Sequence, residues 1–170
     1  MTNGKDLKTL IRSCKKCSEL TKNGDNVMSH SKLKTTYLPN SRKKHGFIIN
    51  SSSDPSKYGH WFSIVVSPSS DVYLCDGLDY IRKLPDVMNS INQFCIINNC
   101  SLKVLPILCQ QNNTSVCGYI SLYFIARFST MSVRNFCNLA KIFKNNSIKT
   151  NESIVMRYVQ LHYNFRIKPY

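Results

Sequence analysis

Acidic residues are scarce in this 170-residue chain, in which 9 Asp and Glu stand against 23 Lys and Arg, for a formal net charge of +14 at pH 7. A field of this size attracts polyanions, and each phosphate contact would make binding weaken as salt rises. The same side chains could also serve only to keep the protein soluble. The sequence contains no fingerprint of an RNA-reading or DNA-reading module, so the charge alone does not identify a partner.

Long hydrophobic runs are also missing. None reaches the roughly 18 residues that a membrane span needs, and the first residues, "MTNGKDLKTLIRSCKK", lack the apolar stretch and cleavage site of a secretory signal. Hydrophobic residues make up 42% of the chain and charged residues 19%, which is ordinary for a globular domain of this length. We therefore expect a single domain over residues 1–170, monomeric, without a membrane partner, intracellular (nucleus or cytoplasm) and not secreted.

Cysteine is plentiful, but a second close cysteine pair is lacking. The chain has 8 cysteines, and a disulfide scaffold would instead be typical of small secreted domains. "CKKC" at Cys14 and Cys17 could form half of a zinc site, yet the other six cysteines show no CxxC spacing. Because both thiols follow the helical spacing of Leu7 and Ile11, we expect them to face the core, and we predict no metal site.

The positive charge is concentrated in the flanks. Residues 1–58 contain 12 basic and 4 acidic residues, residues 59–119 contain 3 and 4, and residues 120–170 contain 8 and 1. The hydrophobic patterns across the same segments predict an α+β domain, with a small mixed sheet packed against helices. The predicted elements are a helix at Asp6–Lys22, mostly loop at Asp25–Gly46, strands at Phe47–Asn50, His60–Val66 and Val72–Asp76, a helix at Pro85–Asn98, a strand at Leu102–Leu108, and helices at Cys117–Phe128, Ser132–Phe143 and Asn151–Tyr163.

Cys117 stands where the polar loop "QQNNTSV" meets a long apolar run. The run predicts a central buried helix, and a helix N-terminus favours a thiolate because of its partial positive charge and free N–H groups. Gly118 adds no side chain that would crowd a substrate backbone, so it is expected to line a cleft. A cysteine in such a segment can equally be a small buried hydrophobe.

Among the four histidines, His60 differs in its setting. His30 and His45 lie in the basic loop region and His162 on a terminal helix, where all three are expected to be solvated. His60 instead opens a strand after a glycine loop, where a rigid element can hold it. The next residue, Trp61, is the one tryptophan of the chain and could shield a substrate cleft from water.

Asp76 ends the strand that follows His60. Since "SPSSD" predicts a turn between the two strands, a hairpin would bring His60 and Asp76 to the same end. This is the arrangement in which a carboxylate orients an imidazole for catalysis. A histidine beside tryptophan is also common in cores, and an aspartate after a strand commonly forms a turn.

Three segments, "GHWFSI", "VYLCDGLDY" and "QQNNTSVCGYISLYF", resemble the motifs of the adenain-like cysteine proteases. This family contains the proteases of adenovirus, of related DNA viruses and of virus-like transposons, and it shares a papain-like fold with the ubiquitin-like-protein proteases. The resemblance covers residues 47–128, which would form the catalytic core between an N-terminal helix and basic loop region, 1–46, and C-terminal basic helices, 129–170. It implies that Cys117 is the nucleophile, His60 the general base and Asp76 its orienting carboxylate.

The resemblance also implies a glutamine in the oxyanion hole. Gln110 has the spacing of adenovirus-type members and Gln111 that of the ubiquitin-like-protein proteases, and we favour Gln110. The implied function is cleavage of viral capsid or core precursors at glycine-containing sites, in the infected cell and in the virion during its maturation. The chemistry would need no cofactor, with DNA bound to the basic flanks and a viral peptide as candidate activators. Alternatives are a deubiquitinase or SUMO-type isopeptidase with the same triad, and a basic structural protein that binds nucleic acid.

Overall fold

A five-stranded mixed sheet forms the centre of the protein. The computed structural model describes residues 4–39, 42–54 and 58–163. The strands lie in the order β1-β2-β3-β4-β5; the inner pairs β2–β3 and β3–β4 are antiparallel, and the outer pairs are parallel. The predicted α+β class, the small mixed sheet and the predicted hairpin are therefore confirmed. The strands are β1 (Val27–Ser29), β2 (His45–Asn50), β3 (Trp61–Val66), β4 (Asp71–Cys75) and β5 (Ser101–Val104).

Helices cover both faces of this sheet. One face packs against the helices that form the larger hydrophobic cluster, and the other face packs against the cluster that includes Phe47 and Phe94, whose rings meet edge to face at 5.3 Å. Successive strand residues point to opposite faces, so β2 and β3 are buried throughout. The helices are α1 (Gly4–Arg12), α2 (Lys15–Leu20), α3 (His30–Leu33), α4 (Pro85–Ile97), α5 (Cys117–Thr130), α6 (Val133–Asn145) and α7 (Ile148–Tyr163).

Helix α5 is the central helix that the apolar run predicts. Nine of its 14 residues are buried, because it lies between the sheet and the helices α2 and α7. Gly46 on β2 permits this close approach: a Cβ there would lie 2.8 Å from Ile125 Cδ1 and 2.9 Å from Leu20 Cδ2. Cys117 is the first residue of α5, at the predicted position.

The N-terminal helix prediction is partly wrong. Two helices, α1 and α2, replace the single helix expected over Asp6–Lys22, and Cys14 between them is extended, with φ −116° and ψ 106°. The hydroxyl of Ser13 donates to Leu10 O at 2.7 Å, a local bond that competes with helix continuation. Cys17 is buried, and Cys14 packs against the same core, as the spacing predicts.

The loop expected over Asp25–Gly46 is also partly wrong. This segment contains β1, the short helix α3 and the start of β2. Elements of three or four residues carry no readable hydrophobic period, which is why the sequence did not indicate them. His45, expected to be solvated, is buried on β2, whereas His162 is exposed on α7 as predicted.

The C-terminal half follows the prediction more closely. Strand β5 is shorter than the predicted Leu102–Leu108 and ends two residues before Pro106, which has no N–H to continue a ladder. The predicted helix at Ser132–Phe143 is α6, and the Ser132 side chain caps it by accepting from Asn135 N at 3.2 Å. Within the described ranges, no helix is long and apolar enough to cross a membrane.

Candidate active site

The backbone of His60 is fixed at the entry to β3. Its N–H donates to Ser51 Oγ at 2.8 Å, and its carbonyl accepts from Ser51 N at 2.9 Å. The preceding residue must be glycine, because a Cβ at Gly59 would lie 2.0 Å from Asn50 Oδ1, an atom that already accepts from Ser52 N. The glycine loop therefore holds His60 against the end of the neighbouring strand.

The carboxylate of Asp76, just after β4, binds the His60 ring. Asp76 Oδ1 accepts from His60 Nε2 at 2.6 Å and from Leu78 N at 3.1 Å, while Oδ2 accepts from Tyr80 N at 2.6 Å and Ile81 N at 2.8 Å. The side chain thus forms the turn and contacts the imidazole at the same time. Burial would raise the pKa of Asp76, but its bonds to His60 and to these backbone N–H groups lower it overall.

Cys117 lies beside the other side of the imidazole. Because Nε2 of His60 is bonded to Asp76, Nδ1 is the ring nitrogen left for the thiol. Burial would raise the pKa of Cys117, but the hydrogen bond with His60 and the N–H groups of Trp61 and Gly118 lower it overall. Burial likewise would lower the pKa of His60, yet its bonds with Asp76 and Cys117 raise that pKa to about 9. These two shifts favour a thiolate–imidazolium pair near neutral pH.

The pKa values of other thiols in the protein shift in the opposite direction, upward. Burial raises the pKa of Cys17 to about 12 and that of Cys95 to about 11. The pKa is also raised, mainly by burial, at Cys75, Cys100 and Cys109. A lowered pKa marks a reactive thiol, whereas buried thiols with raised pKa values are inert at neutral pH. Cys117 is therefore the candidate nucleophile on chemical as well as positional grounds.

The two residues predicted to line the cleft contribute their backbones. The indole of Trp61 is 4% exposed, and it packs so close to α1 that a Cβ at Gly4 would lie 3.5 Å from its Cη2. Gly118 is buried in the first turn of α5. The N–H groups of both residues interact with Cys117, so these residues border the nucleophile from the protein side. A role in substrate binding stays a prediction for both.

The structure separates the two candidate glutamines. The side chain of Gln110 is buried, its Nε2 donates to Thr114 O at 2.8 Å, and its Oε1 has no hydrogen-bond partner within the described chain. Gln110 N also donates to Gly77 O at 3.1 Å, which joins this loop to the turn after Asp76. Gln111 Nε2 instead points to Glu152, 3.4 Å from Oε1. An amide nitrogen carries two hydrogens, so Gln110 keeps one beyond its bond to Thr114.

Sequence reasoning missed two residues near the site. The ring of Tyr80 stands edge to face with the His60 imidazole at 5.9 Å and is 44% exposed, so it borders the imidazole from the solvent side. Glu152 reaches the loop before Cys117 from α7. A signal for Glu152 was present, since it is the single acidic residue among residues 120–170. Nothing in the local pattern indicated what it contacts.

The cysteine pair near the N-terminus has a different environment from the one that zinc would need. Cys17 Sγ lies 3.1 Å from Tyr163 Oη, a contact between α2 and the end of α7. Within residues 4–39, 42–54 and 58–163, no three His, Cys, Asp or Glu side chains are grouped so that they could hold a metal ion. Cys14 and Cys17 therefore have no further ligand from these residues.

Comparison with known proteins adds a distant likeness. No protein-family model and no curated protein sequence matches the chain. Among solved structures, it is similar to the crystal structure of the selenomethionine form of the ASFV pS273R protease, with 19% identity and a TM-score of 0.39. The match covers 74% of this chain and 45% of that chain, so less than half of that protease is represented. A likeness at this level defines neither fold nor function.

Proposed function

We propose that this protein is a cysteine protease with Cys117 as nucleophile, His60 as general base and acid, and Asp76 as the carboxylate that orients His60. The observation that carries the proposal is the continuous chain from Asp76 through His60 to Cys117, with a lowered pKa at the thiol and a raised pKa at the imidazole. A nucleophile, an adjacent base and a group that orients the base are the parts that thiol-based acyl transfer requires.

The mechanism follows from these positions. The Cys117 thiolate attacks the carbonyl carbon of a peptide bond and forms a tetrahedral oxyanion. Protonated His60 gives its proton to the leaving amine as the C–N bond breaks, which leaves a thioester on Cys117. His60, now neutral, accepts a proton from water, whose oxygen attacks the thioester. The carboxylic acid leaves and the thiolate–imidazolium pair is restored.

The oxyanion needs donors that are already in place when it forms. We assign this role to the Cys117 backbone N–H and to Gln110 Nε2, which is held by Thr114 O and has one hydrogen to spare. The position of Gln110 next to Gly77 O also supports the assignment, since it ties the donor to the turn that holds Asp76. One such donor is worth on the order of a hundredfold to a thousandfold in rate.

The substrates we propose are viral capsid or core precursors cut at glycine-containing sites, as the resemblance of the three motifs implies. The second candidate, a deubiquitinase or SUMO-type isopeptidase, uses the same triad and differs in the surface that receives the substrate. Polyanion binding is proposed for the flanks, where most basic side chains are exposed. On α6 and α7 these are Arg134, Lys141, Lys144, Lys149 and Arg157.

The test compares wild type with Cys117→Ala on two substrate sets, glycine-containing peptides and ubiquitin-like precursors, each with and without DNA. We expect wild type alone to cut the peptides, and Cys117 to react with iodoacetamide faster than the other seven cysteines. Cleavage of the precursors alone would favour the isopeptidase. If wild type cuts neither substrate and Cys117 is not selectively alkylated, the proposed protease activity is refuted. The alternative of a structural protein that binds nucleic acid would then remain. DNA binding that is unchanged between about 50 and 200 mM salt would refute the proposed role of the flanks.

A further inference from the structure

The loop before Cys117 is held by residues that are distant in sequence. We define the nucleophile loop as residues 105–116, between β5 and α5. At its middle, Cys109 N and Gln110 N both donate to Gly77 O, at 3.0 and 3.1 Å. Beyond Gln110, the next anchor of the loop is the side chain of Glu152 on α7.

Glu152 binds both ends of the turn from Gln111 to Thr114. Its Oε2 accepts from Gln111 N at 2.7 Å and from Thr114 Oγ1 at 2.9 Å, while Oε1 lies 3.4 Å from Gln111 Nε2. The amide of Gln110 spans the same turn through its bond to Thr114 O. The carboxylate therefore fixes the segment on which the side chain of Gln110 rests.

The charge of Glu152 makes a purely stabilising role a poor explanation. The residue is 9% exposed, and the ion pairs among the described residues do not include it. Burying a carboxylate without a cationic partner opposes folding, and well-packed apolar side chains commonly replace buried charges without loss of stability. What a carboxylate supplies is two fixed acceptors, aimed here at a backbone N–H and a hydroxyl of one turn.

We propose that Glu152 is a positioning residue of the protease, which acts through the nucleophile loop to hold Gln110 where it can stabilise the oxyanion. This inference rests on the proposed function. It predicts a defect in the step that forms the oxyanion, without a defect in the reactivity of the thiol. Attack of Cys117 on iodoacetamide depends on the thiolate and on His60, but it develops no oxyanion on a carbonyl.

The experiment measures peptide hydrolysis, iodoacetamide alkylation of Cys117 and the melting temperature for wild type and three variants. For Glu152→Ala we expect kcat to fall about tenfold to a hundredfold, KM to change less than about threefold, and the alkylation rate to stay within about twofold of wild type. Glu152→Gln should restore kcat to within about threefold, because its amide oxygen can still accept from Gln111 N and Thr114 Oγ1.

Val155→Ala is the matched control for stability. Val155 is fully buried in the hydrophobic core on α7, one turn beyond Glu152, and its side chain has no hydrogen-bond acceptor to offer the nucleophile loop. This variant should lower the melting temperature at least as much as Glu152→Ala and keep a kcat close to that of wild type. The inference is overturned if Glu152→Ala keeps wild-type kcat, if its alkylation rate falls in parallel with kcat, or if Val155→Ala loses as much kcat. An inactive, unselectively alkylated wild type would instead refute the proposed function, and with it the positioning role.

Discussion

His60 and Asp76 stand at the ends of adjacent strands of the sheet, whereas Gln110 and Cys117 come from a loop and from the helix that follows it. We refer to these as the sheet side and the loop side of the site. On the sheet side, the His60 N–H donates to Ser51 Oγ, and N–H groups of the following turn donate to the carboxylate of Asp76. On the loop side, the anchors include Gly77 O and the side chains of Asn151 and Glu152 on α7. Glu152 lies 41 positions along the chain from Gln111.

Because of this difference, the two sides of the site should respond differently to the loss of a side chain. A strand pair keeps its geometry through a repeating ladder, so a single side-chain change on the sheet side leaves the paired strands in place, although Asp76 also holds the turn that follows it. A loop without a ladder keeps its geometry through individual side-chain contacts, so one deletion can displace a donor. Variants of the two sides should therefore differ in which property they change.

The largest effect is expected from Cys117→Ala. Removing the nucleophile should abolish peptide hydrolysis, because neither half of the site can form the thioester without it. The melting temperature should change little, since only one sulfur atom is lost. Peptide turnover and the melting temperature are measured for each variant. Cys100→Ala is the control that should keep activity, because Cys100 packs against the hydrophobic cluster on the other face of the sheet. Hydrolysis that survives in Cys117→Ala would remove the basis of the proposed function.

Asp76→Ala tests the sheet side and should lower kcat on the order of a hundredfold to ten-thousandfold. Hydrolysis needs Cys117 deprotonated for attack and His60 protonated for the leaving amine, so kcat/KM rises as pH passes the lowered Cys117 pKa and falls as pH passes about 9. Asp76 helps to raise the pKa of His60, so its removal should move this upper limit to lower pH.

The measurement for this variant is kcat/KM for peptide hydrolysis between about pH 5 and pH 10, because alkylation does not use the proton that His60 gives to the leaving amine. Asp79→Ala is the matched control, because Asp79 is an exposed carboxylate of the same turn that pairs with Arg82 at 3.0 Å. The control should keep the wild-type profile. An unchanged upper limit in Asp76→Ala would mean that Asp76 does not set the protonation of His60.

The loop side is tested by comparing Gln110→Ala with Gln111→Ala. Gln110→Ala should lower kcat by about a hundredfold to a thousandfold through the loss of one oxyanion donor. Gln111→Ala should cost less than about tenfold, because it removes only the 3.4 Å side-chain contact and keeps the backbone bond to Glu152. The measurement is the hydrolysis rate of each variant at saturating peptide. A larger loss of kcat in Gln111→Ala than in Gln110→Ala would assign the oxyanion donor to Gln111.

Gly59→Ala is expected to have the smallest catalytic effect and to act through stability. The added Cβ would meet Asn50 Oδ1, so we expect a loss of about 1–3 kcal/mol in the free energy of unfolding, measured with urea. Gly4→Ala is the control, because its Cβ would make only an ordinary 3.5 Å contact with Trp61. Equal stability of the two variants would show that the loop before His60 adapts to a side chain.

The sequence predicted the sheet side better than the loop side for a physical reason. The hairpin that carries His60 and Asp76 is local, with two strands of strong β-propensity joined by a short turn, so its pairing could be read directly. The start of α5 was equally clear from the change from polar to apolar residues. The contact of Glu152 with Gln111 depends on how α7 packs, and no local pattern encodes it.

Short and interrupted elements were missed for a related reason. Strand β1 and helix α3 have three and four residues, too few for a hydrophobic pattern to repeat. The break between α1 and α2 was hidden because apolar residues keep a helical spacing across Ser13 and Cys14. The burial of His45 was also missed, because β2 begins two residues earlier than the predicted strand.

The central place of β3 also has a consequence for local unfolding. This strand is paired on both sides, so amide hydrogens between Phe62 and Val65 should exchange with solvent only when the whole sheet opens. Among the residues that the structure describes, no strand pairs with most of the nucleophile loop, and the amides of this loop should exchange through smaller, more frequent openings. The pair of His60 and Asp76 would then persist through excursions in which Gln110 leaves its place, so the protein would lose and regain its oxyanion donor without unfolding.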